Sequence, residues 1–238
     1  MTQPETLVGG SSQQQRRQPA RVAVIALAAG ASRRFGHADK LLAPVEGVPL
    51  AVRILREISG VSVEGVTMEL FAVVPDLCGG VAQALRSHTP SIALVPNPRH
   101  AEGMGTSLAA GIVALEATSH PFVGAIITPC DLPGLTGGRI GQMVAAFLGA
   151  GCDRVVHLAT ADGTPVSPMV WPRCYFPRLS ALGGDQGARR LVAGASTIAF
   201  PASAEELADI DTAEDLARYE RAAAVKSGNS DTSGPDVA

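Results

Sequence analysis

The chain is poor in aromatic residues and carries little net charge. Phe, Trp and Tyr make up 4% of its 238 residues, with a single Trp, and the formal net charge is −3. Proteins that bind single-stranded nucleic acid stack bases on aromatic side chains, and nucleic-acid-binding domains concentrate basic residues. The composition therefore argues against a nucleic-acid partner and favours small-molecule chemistry.

Paired cysteines and long apolar runs are also missing. Cys78, Cys130, Cys152 and Cys174 are widely spaced and form no C-x-x-C pair, which argues against a zinc ribbon or a disulfide framework and favours a reducing, cytoplasmic setting. No apolar run approaches the ~20 residues of a membrane helix, so we expect no membrane partner. Paired arginines precede the apolar run 22–29 in superficial likeness to an export signal, but that run is only eight residues long.

The sequence that is present fits one α/β domain. Residues 1–20 and 225–238 are rich in polar residues and glycine, and we predict disordered tails there, flanking a single domain at 21–224. Short apolar runs alternate with longer stretches of helical spacing, which predicts a mostly parallel, doubly wound sheet with helices on both faces. The predicted strands are 22–27, 68–74, 92–95, 123–128 and 154–158, and the predicted helices are 50–58, 76–87, 106–117, 138–148 and 213–224, with a short one at 187–192.

In such sheets ligands bind beyond the carboxyl ends of the strands, where the first candidate motif lies. In "LAAGASRRFGHADK" an apolar strand ends in small residues that let a ligand approach the backbone, and Arg33, Arg34 and Lys40 follow. The spacing matches neither a Walker loop nor G-x-G-x-x-G. The stretch is therefore either a phosphate-binding loop or a solvent-exposed basic loop.

A second motif, "AIITPCDLPGL", places Asp131 at the end of another apolar run. A carboxylate on a stiff turn before proline suits a hard cation such as magnesium, but it also suits an ordinary turn cap. Cys130 has no partner with the spacing of a catalytic cysteine, and we interpret it as a packed thiol. The five histidines show no metal-binding spacing and receive no catalytic role.

Two glycine-rich stretches and one acidic stretch complete the candidates. In "NPRHAEGMGTSL" and "LGGDQGARRL" the residues near a helix start could bind an anion or a second substrate, or could simply cap helices and form surface ion pairs. In "DIDTAEDLARYERA" Thr212 and Asp215 form a capping-box pattern, so the helix should begin near Ala213. Asp209 and Asp211 then lie on the preceding loop.

Taken together, these motifs resemble a known family. "LAAGASRRFGHADK" is similar to the L-A-A-G-x-S-x-R-x-G-x-x-K signature of nucleotidyltransferases that activate cofactors and sugars. "NPRHAEGMGTSL", "PCDLP", "GTPVSPMV", "GDQGAR" and "DIDTAEDL" resemble the motifs of molybdenum cofactor cytidylyltransferases, and the likeness spans about residues 22–221. The resemblance implies one Rossmann-like domain of the nucleotide-diphospho-sugar transferase type, a nucleoside triphosphate, magnesium and release of pyrophosphate.

The resemblance also implies roles for individual residues. Arg34 would contact the triphosphate, Lys40 would lie near the phosphorus under attack, and Asp131 would act with them and hold magnesium together with Asp211, Asp209 being a weaker candidate. The remaining residues implied to bind nucleotide are Leu27, Ala28, Ala29, Gly30, Asn97, Gly103 and Ser107.

The implied substrates are CTP and molybdopterin. Ala29 stands where guanylyl-transferring relatives usually have glycine, and "GMGTS" replaces their Pro-Leu loop, which favours cytidine. The product would pass to a molybdoenzyme or its maturation chaperone. Transfer from GTP or to another phosphorylated acceptor remains an alternative, as do, more distantly, an NAD-dependent oxidoreductase and a non-catalytic nucleotide-binding module.

Overall fold

A seven-stranded sheet forms the centre of the molecule in the computed structural model, which describes residues 18–30, 35 and 39–229, the last four by their backbone only. Its strands are β1 (Ala20–Leu27), β4 (Val66–Val74), β5 (Ala93–Pro96), β6 (Gly124–Pro129), β7 (Val155–Ala159), β8 (Pro165–Pro172) and β9 (Thr197–Pro201), and a separate short hairpin consists of β2 (Pro44–Val45) and β3 (Val48–Pro49). The strand order in the sheet is β5-β4-β1-β6-β8-β7-β9, and β8 runs antiparallel to β6 and β7 while the other neighbours are parallel.

Helices cover both faces of this sheet. They are α1 (Leu50–Ser59), α2 (Gly80–His88), α3 (Met104–Glu116), α4 (Gly137–Gly149), α5 (Phe176–Ser180) and α6 (Ala213–Asn229). Successive side chains of β1 alternate between two cores, since Val22 and Val24 pack under α1, α2 and α4 while Ala23 and Ile25 pack under α3 and α5. This arrangement confirms the predicted doubly wound, mostly parallel fold.

All five predicted strands are present, but β2, β3, β8 and β9 were not predicted. The case of β8 has a clear physical reason, because a segment with three prolines has the sequence pattern of a loop. In the structure the ladder between β7 and β8 shifts register next to His157, so that Ser167 and Pro168 fall outside the paired positions. The irregularity lets a proline-rich segment occupy a central strand.

The helix boundaries differ from prediction where side chains bond to the backbone. Helix α2 begins at Gly80 rather than at 76, because the Asp76 carboxylate accepts hydrogen bonds from the N–H groups of Cys78 and Gly79 at 2.7 and 2.6 Å. The capping box of α6 is confirmed: Thr212 N donates to Asp215 Oδ2 at 2.9 Å, and Asp215 N donates to Thr212 Oγ1 at 3.1 Å. Helix α6 continues past the predicted boundary at 224.

Two short elements also differ from the prediction. The short helix predicted at 187–192 is a 3-10 helix, Ala188–Val192, and α5 (Phe176–Ser180) was not predicted. None of the helices in the described ranges is both long and apolar enough to cross a membrane.

Candidate active site

A cleft of about 660 Å³ opens beyond the carboxyl ends of β1 and β6. This is the location expected for a ligand site in a doubly wound sheet. Most of the predicted site residues within the described ranges lie on its walls. The lining residues are Leu27, Ala29, Gly30, Lys40, Leu41, His100, Ala101, Glu102, Gly103, Met104, Ser107, Pro129, Cys130, Asp131, Asp185, Asp209 and Asp211.

Lys40 occupies the centre of the charged part of the cleft. It begins a 3-10 helix (Lys40–Leu42), which Asp39 caps by accepting a hydrogen bond from Leu41 N at 3.0 Å. Its side chain is largely buried, and Nζ donates to Asp131 Oδ2 at 2.8 Å and to Asp211 Oδ1 at 2.7 Å. One ammonium group thus joins carboxylates that are 80 residues apart in the chain.

A backbone hydrogen bond brings these two carboxylates together. Ile210 N donates to the carbonyl oxygen of Asp131 at 3.0 Å, which aligns the loop before α6 with the end of β6. The turn after Asp131 is fixed from two sides, because the Pro133 carbonyl accepts from Arg53 Nε at 3.0 Å and from the Tyr219 hydroxyl at 3.2 Å. The acidic pair is therefore held by α1 and α6 as well as by the sheet.

The electrostatics follow from this crowding of charge. Burial lowers the pKa of Lys40, but the charges and hydrogen bonds of Asp131 and Asp211 outweigh that effect and the net pKa is raised. Lys40 is therefore protonated at neutral pH. Burial, reinforced by the negative charges of Asp211 and Asp131, raises the pKa of the nearby Asp209.

The acidic pair fits a magnesium ion by the chemistry of its donors. A cationic group already lies between the two carboxylate oxygens, so Lys40 Nζ marks a position that attracts positive charge. Among the residues that the structure describes, no group of three or more His, Cys, Asp or Glu forms a metal cage. Magnesium commonly binds one or two carboxylates and takes its other ligands from water and substrate phosphates, so two carboxylates suffice.

The end of β1 forms a second part of the wall, beside the end of β6. Leu27, Ala29 and Gly30 line the cleft, whereas Ala28 is buried and donates its N–H to the Val73 carbonyl at 2.9 Å. Among the described residues, a Cβ atom at Gly30 would meet nothing within 4 Å, so no described side chain covers the backbone at this position. Arg34, predicted to contact the triphosphate, lies outside the described residues.

Asn97 lies behind the wall of the cleft and holds it in place. Its side-chain amide donates to Thr106 Oγ1 at 3.0 Å and to Ser107 Oγ at 2.9 Å, and its Oδ1 accepts from Arg99 N at 3.0 Å. Ser107 lines the cleft but Asn97 does not. The structure thus places Asn97 in contact with the cleft residue Ser107 and not on the cleft wall itself.

The two glycine-rich motifs meet at the edge of the cleft. Gly105 N donates to the Gly184 carbonyl at 2.8 Å, and a Cβ on Gly103 would lie 2.3 Å from the Gly184 carbonyl carbon. Gly103 also has a φ of +126°, which side-chain-bearing residues rarely adopt. These contacts place Asp185 on the cleft wall.

Cys130 and His100 both line the cleft, and the structure adds to what the sequence indicated about each. Cys130 is 1% exposed, and burial together with the Asp131 charge raises its thiol pKa, which agrees with a packed thiol rather than a nucleophile. His100 received no role from the sequence, yet it lines the cleft and its buried Nδ1 has no hydrogen-bond partner within the described ranges. Nothing in the spacing of the histidines indicated this position.

The chain was compared with known protein families and with individual proteins. A family model described as the MobA-like NTP transferase domain matches residues 24–200. A molybdenum cofactor guanylyltransferase from Rhodobacter capsulatus is 27% identical over 202 residues, which cover 84% of this chain and 95% of that protein.

Solved structures share the fold at lower sequence identity. A nucleotidyl transferase from Methanothermobacter thermautotroptrophicus, Mth528, superposes with a TM-score of 0.69 at 18% identity, over 86% of this chain and 98% of that chain. The complex of Rv0371C with manganese from Mycobacterium tuberculosis H37Rv superposes with a TM-score of 0.61 at 21% identity, over 84% and 98% of the two chains. The fold is that of nucleotide-diphospho-sugar transferases, as the motifs predicted.

Proposed function

We propose that this chain, which belongs to the MobA-like NTP transferase domain family and is a nucleotidyltransferase, transfers CMP from CTP to the terminal phosphate of molybdopterin. The observation that carries the proposal is the convergence of Lys40, Asp131 and Asp211 in a cleft that the small-residue end of β1 also lines. Such a site positions two anionic substrates and offsets their repulsion.

The reaction needs no covalent intermediate. A phosphate oxygen of the acceptor forms a bond to the α-phosphorus of CTP in line, the bond from that phosphorus to the bridging oxygen breaks, and pyrophosphate leaves with the electron pair. The protein therefore contributes position and charge rather than a nucleophile. The protonated Lys40 ammonium supplies one positive charge next to the reacting groups.

Asp131 and Asp211 are the residues that would hold magnesium. When bound, the ion would neutralise charge that develops on the phosphate oxygens. One unit-charge contact at about 4 Å and an effective dielectric near 20 contributes on the order of 4 kcal/mol before desolvation, so each cation matters to the rate. A relative of the same fold is known as a manganese complex, which supports a divalent ion here.

Lys40 has two roles in this proposal. Without an added cation its ammonium offsets one of the two negative charges of the acidic pair, and with phosphates in the cleft the same ammonium can donate to phosphate oxygens. We further propose that Arg34 contacts the triphosphate and that Gly103 and Ser107 bind the nucleoside. The product would pass to a molybdoenzyme or its maturation chaperone.

Cytidine is favoured by Ala29 and by the "GMGTS" stretch, where guanylyl-transferring relatives differ. GTP is the second candidate, because the curated relative from Rhodobacter capsulatus is a guanylyltransferase. Another phosphorylated acceptor is the corresponding alternative to molybdopterin.

The test is pyrophosphate release measured with CTP, GTP, ATP or UTP, each with Mg²⁺ and with or without molybdopterin. We expect release that depends on the acceptor and is at least about tenfold faster with CTP, a difference of about 1.4 kcal/mol in transition-state binding. Faster release with GTP would show that GTP, and not CTP, is the preferred nucleotide donor. If none of the four nucleotides yields pyrophosphate, the proposed reaction is contradicted.

A further inference from the structure

A triangle of hydrogen bonds joins the two segments that carry the acidic pair. Its centre is the carbonyl oxygen of Pro133, two residues after Asp131. That oxygen accepts from Arg53 Nε of α1 at 3.0 Å and from the Tyr219 hydroxyl of α6 at 3.2 Å. Arg53 Nη2 closes the triangle by donating to the Tyr219 hydroxyl at 3.2 Å. Both acceptor positions of the carbonyl oxygen are therefore used.

Arg53 is also held from its other side. Its Nη1 donates to Glu46 Oε2 at 2.5 Å, in the loop between β2 and β3. Glu46 and Gly47 form that loop with φ values of +50° and +78°, and positive φ at both positions is typical of a two-residue hairpin turn. The hairpin therefore fixes the carboxylate that orients Arg53, and all three guanidinium nitrogens have partners.

The Pro133 carbonyl is stiffly connected to Asp131. Only Leu132 lies between them, and a residue before proline is restricted in its backbone conformation, while the proline ring fixes its own φ. Leu135 N donates to the Leu132 carbonyl at 3.2 Å and closes the turn. A shift of the Pro133 oxygen therefore moves the backbone of Asp131 with it.

Tyr219 connects Asp211 to the same triangle. Asp211 N and Thr212 N both donate to Asp215 Oδ2, at 3.2 and 2.9 Å, so the backbone of Asp211 is attached to the first turn of α6. Tyr219 lies on the next turn of this helix, and its ring packs against the apolar cluster that contains Ile210. Its hydrogen bond to the carbonyl oxygen therefore links α6 to the turn after β6.

We propose that Arg53 and Tyr219 are positioning residues for the divalent ion, because together they set the spacing of the Asp131 and Asp211 carboxylates. The inference rests on the proposed function, since these carboxylates would hold the ion of that reaction. Neither positioning side chain is part of the cleft wall, so both act through the two carboxylates. Side chains that hold metal ligands in place commonly alter metal affinity when they are removed.

Tyr219→Phe is the sharpest variant, because it removes the hydroxyl and keeps the ring. Tyr175→Phe is the matched control, since Tyr175 packs against Trp171 in the other core. In nucleotide-free protein we expect the dissociation constant of Mn²⁺, measured by electron paramagnetic resonance, to rise about fivefold in Tyr219→Phe. The effect is limited because Ile210 N still bonds to the Asp131 carbonyl. The control should bind Mn²⁺ like the wild type.

The magnesium dependence of turnover separates positioning from a general loss of structure. Pyrophosphate release by Tyr219→Phe should need about fivefold more Mg²⁺, while kcat at saturating Mg²⁺ and the KM for CTP change by less than about twofold. A lower free energy of unfolding in urea with unchanged Mn²⁺ affinity would overturn the proposal, because the hydroxyl would then serve the fold alone.

Variants of Arg53 test whether the two side chains act through one oxygen. Arg53→Met should raise the dissociation constant of Mn²⁺ about fivefold, and Arg53→Lys, which keeps one donor for the carbonyl, only about twofold. The double variant Arg53→Met/Tyr219→Phe should lose about five- to tenfold, because both changes release the same oxygen. A loss of about 25-fold, the product of two independent effects, would overturn the shared action.

The outcomes also separate this inference from the proposed function. If the wild type binds no Mn²⁺ while pyrophosphate release from CTP persists, the positioning role is wrong and the proposed transfer stands. If Mn²⁺ affinity falls as expected in Tyr219→Phe and Arg53→Met but none of the nucleotides yields pyrophosphate, the positioning role stands and the proposed transfer is wrong.

Discussion

The cleft and an adjoining, smaller hollow of about 200 Å³ share the wall residues Leu27 and Met104 but are built from opposite kinds of side chain. The cleft concentrates one ammonium and several carboxyl groups at the ends of β1 and β6, whereas the hollow is lined by thioether, aliphatic and indole groups under α3, among them Met169 and Trp171. Charge suits phosphates, and an apolar lining suits apolar groups. The two spaces therefore suit ligand groups of different chemistry.

The largest effect should come from Asp131→Asn, which removes one of the two carboxylates but keeps the shape. We expect turnover to fall by about a thousandfold, since loss of a cation contact worth on the order of 4 kcal/mol corresponds to that factor. Steady-state pyrophosphate release and a far-UV spectrum measure rate and fold, with Asp153→Asn, an exposed carboxylate, as the control. Near-normal turnover in Asp131→Asn would remove this residue from the site.

Lys40→Met should produce the next largest loss, about a hundredfold in kcat, with less than about a threefold change in nucleotide affinity, because the charge is needed most as the phosphorus reacts. The same substitution leaves Asp131 and Asp211 without their resident cation. Mn²⁺ affinity without nucleotide should therefore rise about tenfold, as measured by electron paramagnetic resonance. Weaker nucleotide binding with normal kcat, or weaker Mn²⁺ binding, contradicts this role.

Gly103→Ala is expected to damage both spaces at once, because the two glycine-rich motifs meet backbone to backbone beside Met104. The added Cβ would lie 2.3 Å from the Gly184 backbone at a φ of +126°. We expect a loss of about 2–3 kcal/mol in the free energy of unfolding, measured in urea. Gly149→Ala, where a Cβ has open space, should change it by less than about 0.5 kcal/mol. An equally small loss in Gly103→Ala would mean that the junction adapts easily.

The smallest effect concerns the segment that leads from β9 to Asp211. The Glu206 carboxylate accepts hydrogen bonds from Arg139 Nε of α4 at 2.5 Å and from Ser203 N at 2.9 Å. The hydrogen bond from Arg139 is the largest influence on the carboxyl group, and together these contacts outweigh the effect of burial and lower the pKa of Glu206. A lowered folded-state pKa stabilises the protein above the unfolded pKa near 4.5, and this stability is lost as the pH falls through the folded-state pKa.

Glu206→Gln should therefore reduce the free energy of unfolding by about 1 kcal/mol at neutral pH and by less in acid. Urea unfolding at about pH 7 and about pH 3 measures this difference. The exposed Glu116→Gln serves as the control. A loss that is the same at both pH values would show that Glu206 acts by shape alone.

The sequence predicted the charged cleft better than the apolar hollow. Lys40, Asp131 and Asp211 each belong to a short motif at the end of a strand or before a helix, so local patterns indicated them. Their shared hydrogen bonds depend on the contact between Ile210 N and the Asp131 carbonyl, which no local pattern specifies. Convergence could be inferred only from the family resemblance.

The hollow had no sequence signal because its main wall is β8. No strand was predicted for this segment, which contains three prolines, and its position depends on long-range pairing, such as that of Ile126 with Val170. The single tryptophan entered the sequence analysis only through the composition. That its indole N–H and the Nδ1 of His100 have no partner among the described residues is a property of packing.

The most direct test of the account is the binding of Mn²⁺ to the nucleotide-free protein, measured by electron paramagnetic resonance in wild type, Asp131→Asn and Asp211→Asn, with Asp153→Asn as the control. We predict one site in wild type and in the control, and at least a tenfold loss of affinity in each of the two cleft variants. An ion bound equally well by all four proteins would contradict the claim that these two carboxylates share one cation.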